Sequence, residues 1–120
     1  MNKHSELIDC YLNWYRTQKE EYWWAWEEVD IKRNPDDLPF IFQLIQACQN
    51  DEEIAYVAAG PLHDLFRTHH LAIKSALDIM VRGDMNMRKA IQALIFAEGS
   101  SERKTLNEIL NKYGLHYASL

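Results

Sequence analysis

The chain has 120 residues, 48% hydrophobic and 12% aromatic, and a formal net charge of −5; a chain of this length buries roughly two-thirds of its unfolded surface, so one domain over residues 1–120 is expected to fold without staples. Four glycines and three prolines are too few for the turns of an all-β protein, so helices are expected throughout. No apolar run approaches the roughly 20 residues of a membrane span, and Met1–Glu6 lacks the apolar core of a signal peptide, which points to the cytoplasm and away from membranes.

From Ser5 to Ile31 there is no Pro or Gly, and Leu7, Tyr11, Trp14, Tyr15, Tyr22, Trp26 and Val29 recur near helical spacing. This reads as one long helix, or two joined near Thr17-Gln18-Lys19, with Ser5 as N-cap. The stretch is crowded with rings. Trp23 and Trp26 lie three apart and share a face, while Trp24 points about 100° away, so these rings cannot all enter one core stripe and at least one belongs at the rim.

Lys32-Arg33-Asn34-Pro35-Asp36-Asp37 reads as a stop and a restart, with cations at a helix C-terminus, then Asn34 as N-cap and Pro35 at the first helical position. The next helix runs to about Gln49 and carries Leu38, Ile41, Leu44, Ile45 and Cys48 inward, with Phe42 off the main face. Asn50-Asp51-Glu52-Glu53 caps another, which continues into Ala58-Ala59-Gly60-Pro61-Leu62-His63-Asp64-Leu65-Phe66. A proline inside a helix lacks an N–H and crowds the preceding turn, costing roughly 3 kcal/mol, so the chain should bend at this elbow or end one helix at Gly60. His69-His70 reads as the end of that helix. A further one takes Leu71 to Val81, with Ile73, Ala76, Leu77 and Met80 inward. Asp84 caps the next, with Met87, Ala90, Ile91, Leu94 and Ile95 in register as far as Gly99. Ser100 or Ser101 starts the last, which stops at Gly114. Connections of two to five residues make consecutive helices antiparallel or sharply bent neighbours. The expected fold is therefore all-α, a compact array of about five to seven short antiparallel helices with a Gly-Pro elbow in a central one.

The central stretch Ala58-Ala59-Gly60-Pro61-Leu62-His63-Asp64-Leu65-Phe66 resembles the hallmark of a family of small bacterial helical proteins of unknown function, usually Ala-Ala-Gly-Pro-Leu-Glu-Asp-Leu-Leu. The Trp-rich segment Tyr22–Val29, the Asn34-Pro35-Asp36 restart, and Asp84 followed by Arg88 and Leu94 look like other parts of that family. His63 stands where the family generally has a carboxylate, and His70 where a glycine is common. The resemblance implies a helical fold and carries no activity.

His63, Asp64, His69 and His70 are the cluster of potential metal ligands. His63 and His70 share a helical face seven residues apart, without the three- or four-residue spacing usual for helical metal sites. A metal-dependent enzyme built on His63, Asp64 and His70 is the alternative class of function. No serine or cysteine sits in a recognisable nucleophile setting, no glycine cluster could cradle phosphate, and no cofactor is implied. Cys10 and Cys48 read as buried reduced thiols. Arg82, Arg88, Lys89, Arg103 and Lys104 are spread over three helices and interrupted by acids, a poor nucleic-acid footprint. Met80, Met85 and Met87 read mainly as core filling.

Charge is divided unevenly: residues 1–60 carry five Lys and Arg against twelve Asp and Glu, net −7, and residues 61–120 carry eight against six, net +2. An acidic N-terminal half with excess rings suits binding to a basic protein partner. The expectation is a non-enzymatic protein-binding module, most concretely a bacterial immunity or antitoxin-type inhibitor of a toxin-like partner. Glu20, Glu21, Glu27 and Glu28 would steer that partner, and Trp23 and Trp24 would supply desolvated contact. A structural homo-oligomer is a further alternative.

Overall fold

The computed structural model describes residues 4–118, and no strand occurs among them. In chain order they form α1 (Ser5–Thr17), a 3-10 turn (Glu20–Tyr22), α2 (Trp23–Asp30), a second 3-10 turn (Pro35–Asp37), α3 (Leu38–Gln46), α4 (Asp51–Val57), a π turn (Ala58–Leu62), α5 (His63–Gly83), α6 (Met85–Gln92) and α7 (Ser101–Lys112). The all-α array is as the sequence requires. Its radius of gyration is 13.9 Å, close to the value of about 13.6 Å for a compact chain of this length.

The helix starts are set by short polar side chains. Asn50 Oδ1 accepts from the Glu53 N–H at 2.9 Å, Asp84 Oδ2 from Met87 at 2.8 Å, and Ser100 Oγ from Arg103 at 3.1 Å. Each satisfies one of the orphan donors of a first turn. At the Asn34 restart the Asp37 carboxylate accepts the Asn34 N–H at 3.1 Å. The N-cap of α1 is His4 and not Ser5, which is already helical. The two segments α1 and α2 separate where expected. Gln18 turns left-handed at φ 58° and Lys19 is extended.

The α-helix is interrupted at the proline-bearing stretch, where the sequence placed its elbow, and of the two expected outcomes the break at Gly60 does not occur. The chain neither ends a helix at Gly60 nor leaves helical geometry around Pro61: Val57, Ala58, Leu62 and His63 all keep helical dihedrals, and one turn widens to π, with the His63 N–H reaching back to the Ala58 carbonyl. A π turn takes up one extra residue, and the wider loop gives the proline ring its room. A second irregularity lies eight residues on, at His69 (φ −132°, ψ 24°). The sequence placed the end of one helix and the start of the next there, and two helical segments do meet at this kink, the second running to Gly83.

Buried apolar side chains form one cluster with α5 at its centre, where Leu65, Phe66, Ile73, Leu77 and Val81 are sealed from water. Around it α7 packs on α5, α6 on α3 and α4, and α1 on α2. Ala76, expected inward, is exposed; with Leu71, Ala72 and Ile79 it makes an apolar stripe, interrupted by Ser75, on the outer face of α5. Cys10 and Cys48 are free and half-buried.

The last third differs most from the sequence reading. Helix α3 stops at Gln46 and α6 at Gln92, so residues 93–100 form a longer connection than expected. Here Leu94 and Phe96 point in while Ile95 is 63% exposed, the alternation of extended chain. Phe96 stacks on both His63 (4.7 Å between centroids) and Phe66 (5.3 Å), and Arg103 donates to its carbonyl at 3.0 Å. After α7, Leu115 N–H bonds to Leu110 O and Gly114 N–H to Asn111 O, with Gly114 left-handed at φ 65°. This is the Schellman closure that a glycine at that position permits.

Candidate protein-binding face

The residues expected to bind a partner lie on the 3-10 turn and α2. Glu20, Glu21, Trp23, Trp24, Glu27 and Glu28 are all exposed. Helical spacing explains the α2 members: Ala25 and Val29 are buried and Trp26 is packed half-buried beside them, which leaves Trp24, Glu27 and Glu28 on the outer faces. None of the four glutamate side chains has an ion-pair or hydrogen-bond partner among the described residues.

The rings are organised by α1, α2 and α4 together. Trp23 stacks on Trp26 with centroids 4.7 Å apart and planes 10° from parallel, and Trp14 meets Trp23 edge-on at 4.9 Å. Tyr15 and Tyr11 continue the cluster onto Tyr56 of α4, at 4.3 and 5.8 Å. Trp23 is 39% exposed at the outer end of this array, and Trp24, on the divergent face, is 43% exposed. Trp23 is thus a ring held rigidly by its neighbours, while Trp24 contributes apolar area outside the cluster. Rigid, half-wet indoles of this kind are common anchors of interfaces.

Electrostatics favour a cation here. The Cys10 thiol is raised above its ordinary value by burial and then by the charges of Glu6, Asp9 and Glu21. Burial pushes the Cys48 thiol up to about 12, so neither cysteine is a thiolate nucleophile at neutral pH. Burial also raises Tyr56, opposed by hydrogen bonding from Tyr11, Trp26 and Trp14.

The alternative ligand set does not converge. His63 lies against Phe96, with Nδ1 3.7 Å from Asp64 Oδ1. His70 instead turns into the core, with Nδ1 2.9 Å from Thr105 Oγ1 and Nε2 3.3 Å from Ser101 Oγ. Among the described residues no three His, Cys, Asp or Glu side chains converge as a metal would require. On the basic half, Arg88 donates to the Val81 and Arg82 carbonyls, and Lys89 pairs with Asp51 at 2.9 Å.

Two features escaped the sequence. Tyr56 belongs to the aromatic array but comes from a distant helix, and no local spacing announces it. Arg33 joins Asp30 (3.0 Å) to Asp64 (3.5 Å); the three-residue step from Asp30 to Arg33 was a readable signal, whereas Asp64 was not.

A family model described as a family of unknown function, DUF6869, matches residues 13–103. No curated protein and no solved structure matches the chain. Among the described residues no helix is long and apolar enough to cross a membrane.

Proposed function

The chain belongs to this family, whose function is unknown, and from its own surface we propose that it is a protein-binding module that docks a basic partner through the face built by Glu20–Glu28. The observation that carries this reading is the pairing of two exposed indoles, Trp23 and Trp24, with four exposed carboxylates that have no partner among the described residues, all within residues 20–28. Opposite charge accelerates encounter, and the indoles supply the desolvated contact that slows release. In its most concrete form the protein is an immunity or antitoxin-type inhibitor acting in the cytoplasm, and the partner is a toxin encoded beside it.

The test is calorimetric titration against the product of the neighbouring gene. A tight complex is expected, weakened at least tenfold by Trp24→Ala and abolished by the double change Glu27→Lys, Glu28→Lys; affinity unchanged by both variants would overturn the reading. The exposed apolar stripe of α5 (Leu71, Ala72, Ala76, Ile79) favours a second reading, a homo-oligomer. Sedimentation at two concentrations distinguishes it, and a mass independent of concentration and equal to the monomer excludes it.

A further inference from the structure

The Gly60-Pro61 turn borders a crevice of about 120 Å³ between the π turn and the α1–α2 pair, room for several waters. Tyr11 and Trp26 line it with rings, and Asp30 and Asp64 line it with carboxylates whose side chains stay partly open to solvent. The absence of a side chain at Gly60 keeps it open. A Cβ there would enter the space and meet the Tyr11 hydroxyl at 3.6 Å. Trp26 stacks on Trp23, so the crevice adjoins the proposed docking face.

The two aspartates already hold a guanidinium, that of Arg33, but loosely. A single nitrogen, Nη2, serves both carboxylates at 3.0 and 3.5 Å, Nε donates to the Asp30 backbone carbonyl at 2.9 Å, and the side chain is about half-exposed. Arg33 does not line the crevice itself. Such a solvent-screened pair contributes little. An arginine arriving from outside presents its whole fork of donors to two acceptors, and its flat face suits the neighbouring rings in a way that a lysine ammonium does not.

Building on the docking role proposed above, the geometry points to this crevice as the receptor for an arginine side chain of the partner, which displaces Arg33 from Asp30 and Asp64. Arg33 is then a placeholder that keeps the two carboxylates from repelling each other in the free protein.

The claim is tested on the isotopically labelled full chain by NMR titration with N-acetyl-arginine methylamide, with N-acetyl-citrulline methylamide as the uncharged control. Saturable shifts at the Trp26 indole N–H and the Gly60 amide are expected with the arginine probe only. Gly60→Ala, which sets a methyl into the crevice at an ordinary contact distance from the Tyr11 hydroxyl, should weaken them, and Asp64→Asn should weaken binding about tenfold. Arg33→Ala should tighten it several-fold, because a competitor is gone. Equal response to the citrulline probe, no loss in Gly60→Ala, or no gain in Arg33→Ala overturns the assignment. If the partner binds Gly60→Ala and the unaltered chain equally well, the crevice is dismissed and the docking face stands. If the arginine probe behaves as stated while Glu27→Lys, Glu28→Lys leaves partner affinity intact, the face is dismissed and the crevice stands.

Discussion

Gln18 carries a left-handed backbone (φ 58°, ψ 24°) where α1 gives way to the 3-10 turn, and its amide donates to the Trp14 and Tyr15 carbonyls at 3.1 and 3.4 Å. A side chain in that region costs roughly 1–2 kcal/mol, partly offset here by the two bonds, which are exposed and hence weak. Gln18→Gly is expected to raise stability by about 0.5–1 kcal/mol, read as a higher urea midpoint with unchanged slope. A second single-residue effect belongs to His70. Its buried ring is held through Thr105 Oγ1 and Ser101 Oγ, tying the kink at His69 to α7. Thr105→Val keeps the shape and removes a partner, so it should cost about 1–3 kcal/mol, and Thr105→Ser should recover most of the loss.

At the level of elements, α1 is fastened to α4 by Arg16 and Glu53. Arg16 Nε donates to Oε2 at 2.7 Å and Nη2 to Oε1 at 2.8 Å, and Oε1 also accepts the Gln49 N–H at 2.9 Å. Glu53 is 3% exposed. The Arg16 hydrogen bonds hold its carboxyl below the usual range against the opposing effect of burial. The folded pKa is therefore lower than the unfolded one. The stabilisation is fully present above the ordinary carboxylate value of about 4.3 and disappears as pH falls through the depressed folded value. Glu53→Gln should cost about 2 kcal/mol at pH 7, and the gap between variant and parent should close on acidification below about pH 4. Urea titrations at a series of pH values measure it; a gap that stays constant into acid contradicts the assignment.

Elements with paired signals, a cap and a periodic stripe, were legible in the sequence: Asn50, Asp84 and Ser100 start helices as read, and Leu38, Ile41, Leu44 and Ile45 are buried as read. Three features were not. Leu94-Ile95-Phe96 looks helical by composition, but Phe96 gains more by lying over Phe66 and His63 in extended chain. Pro61 announces a disturbance without saying whether it is resolved by a break or a wider turn. His69-His70 marks a helix boundary as read, but nothing local shows that His70 finds Thr105 thirty-five residues away. Of the candidate site, the exposure of Trp23 and Trp24 followed from their divergent directions on one helix, whereas Asp64 and Tyr56 join it only through tertiary packing.

For the molecule as a whole, the core is one cluster centred on α5, and Phe66 is the largest side chain fully sealed within it. Phe66→Ala removes the ring on which both Phe96 and His70 rest. A loss of about 3–5 kcal/mol is expected, a large share of the roughly 5–15 kcal/mol that holds a domain together, with a correspondingly lower melting temperature in calorimetry. The division of charge, −7 against +2 between the halves, acts at the same scale. Association with a basic partner should slow as salt is raised, while dissociation changes much less.

The chain's four tryptophans, Trp14, Trp23, Trp24 and Trp26, all fall on α1 and α2, and three of them touch. Intrinsic fluorescence of this molecule is consequently a local signal, emitted from one flank and silent about the rest. The parallel Trp23–Trp26 pair should also give a split band in near-ultraviolet circular dichroism that disappears in Trp26→Phe. A label-free optical reporter is thus built into the very surface whose occupancy needs to be measured.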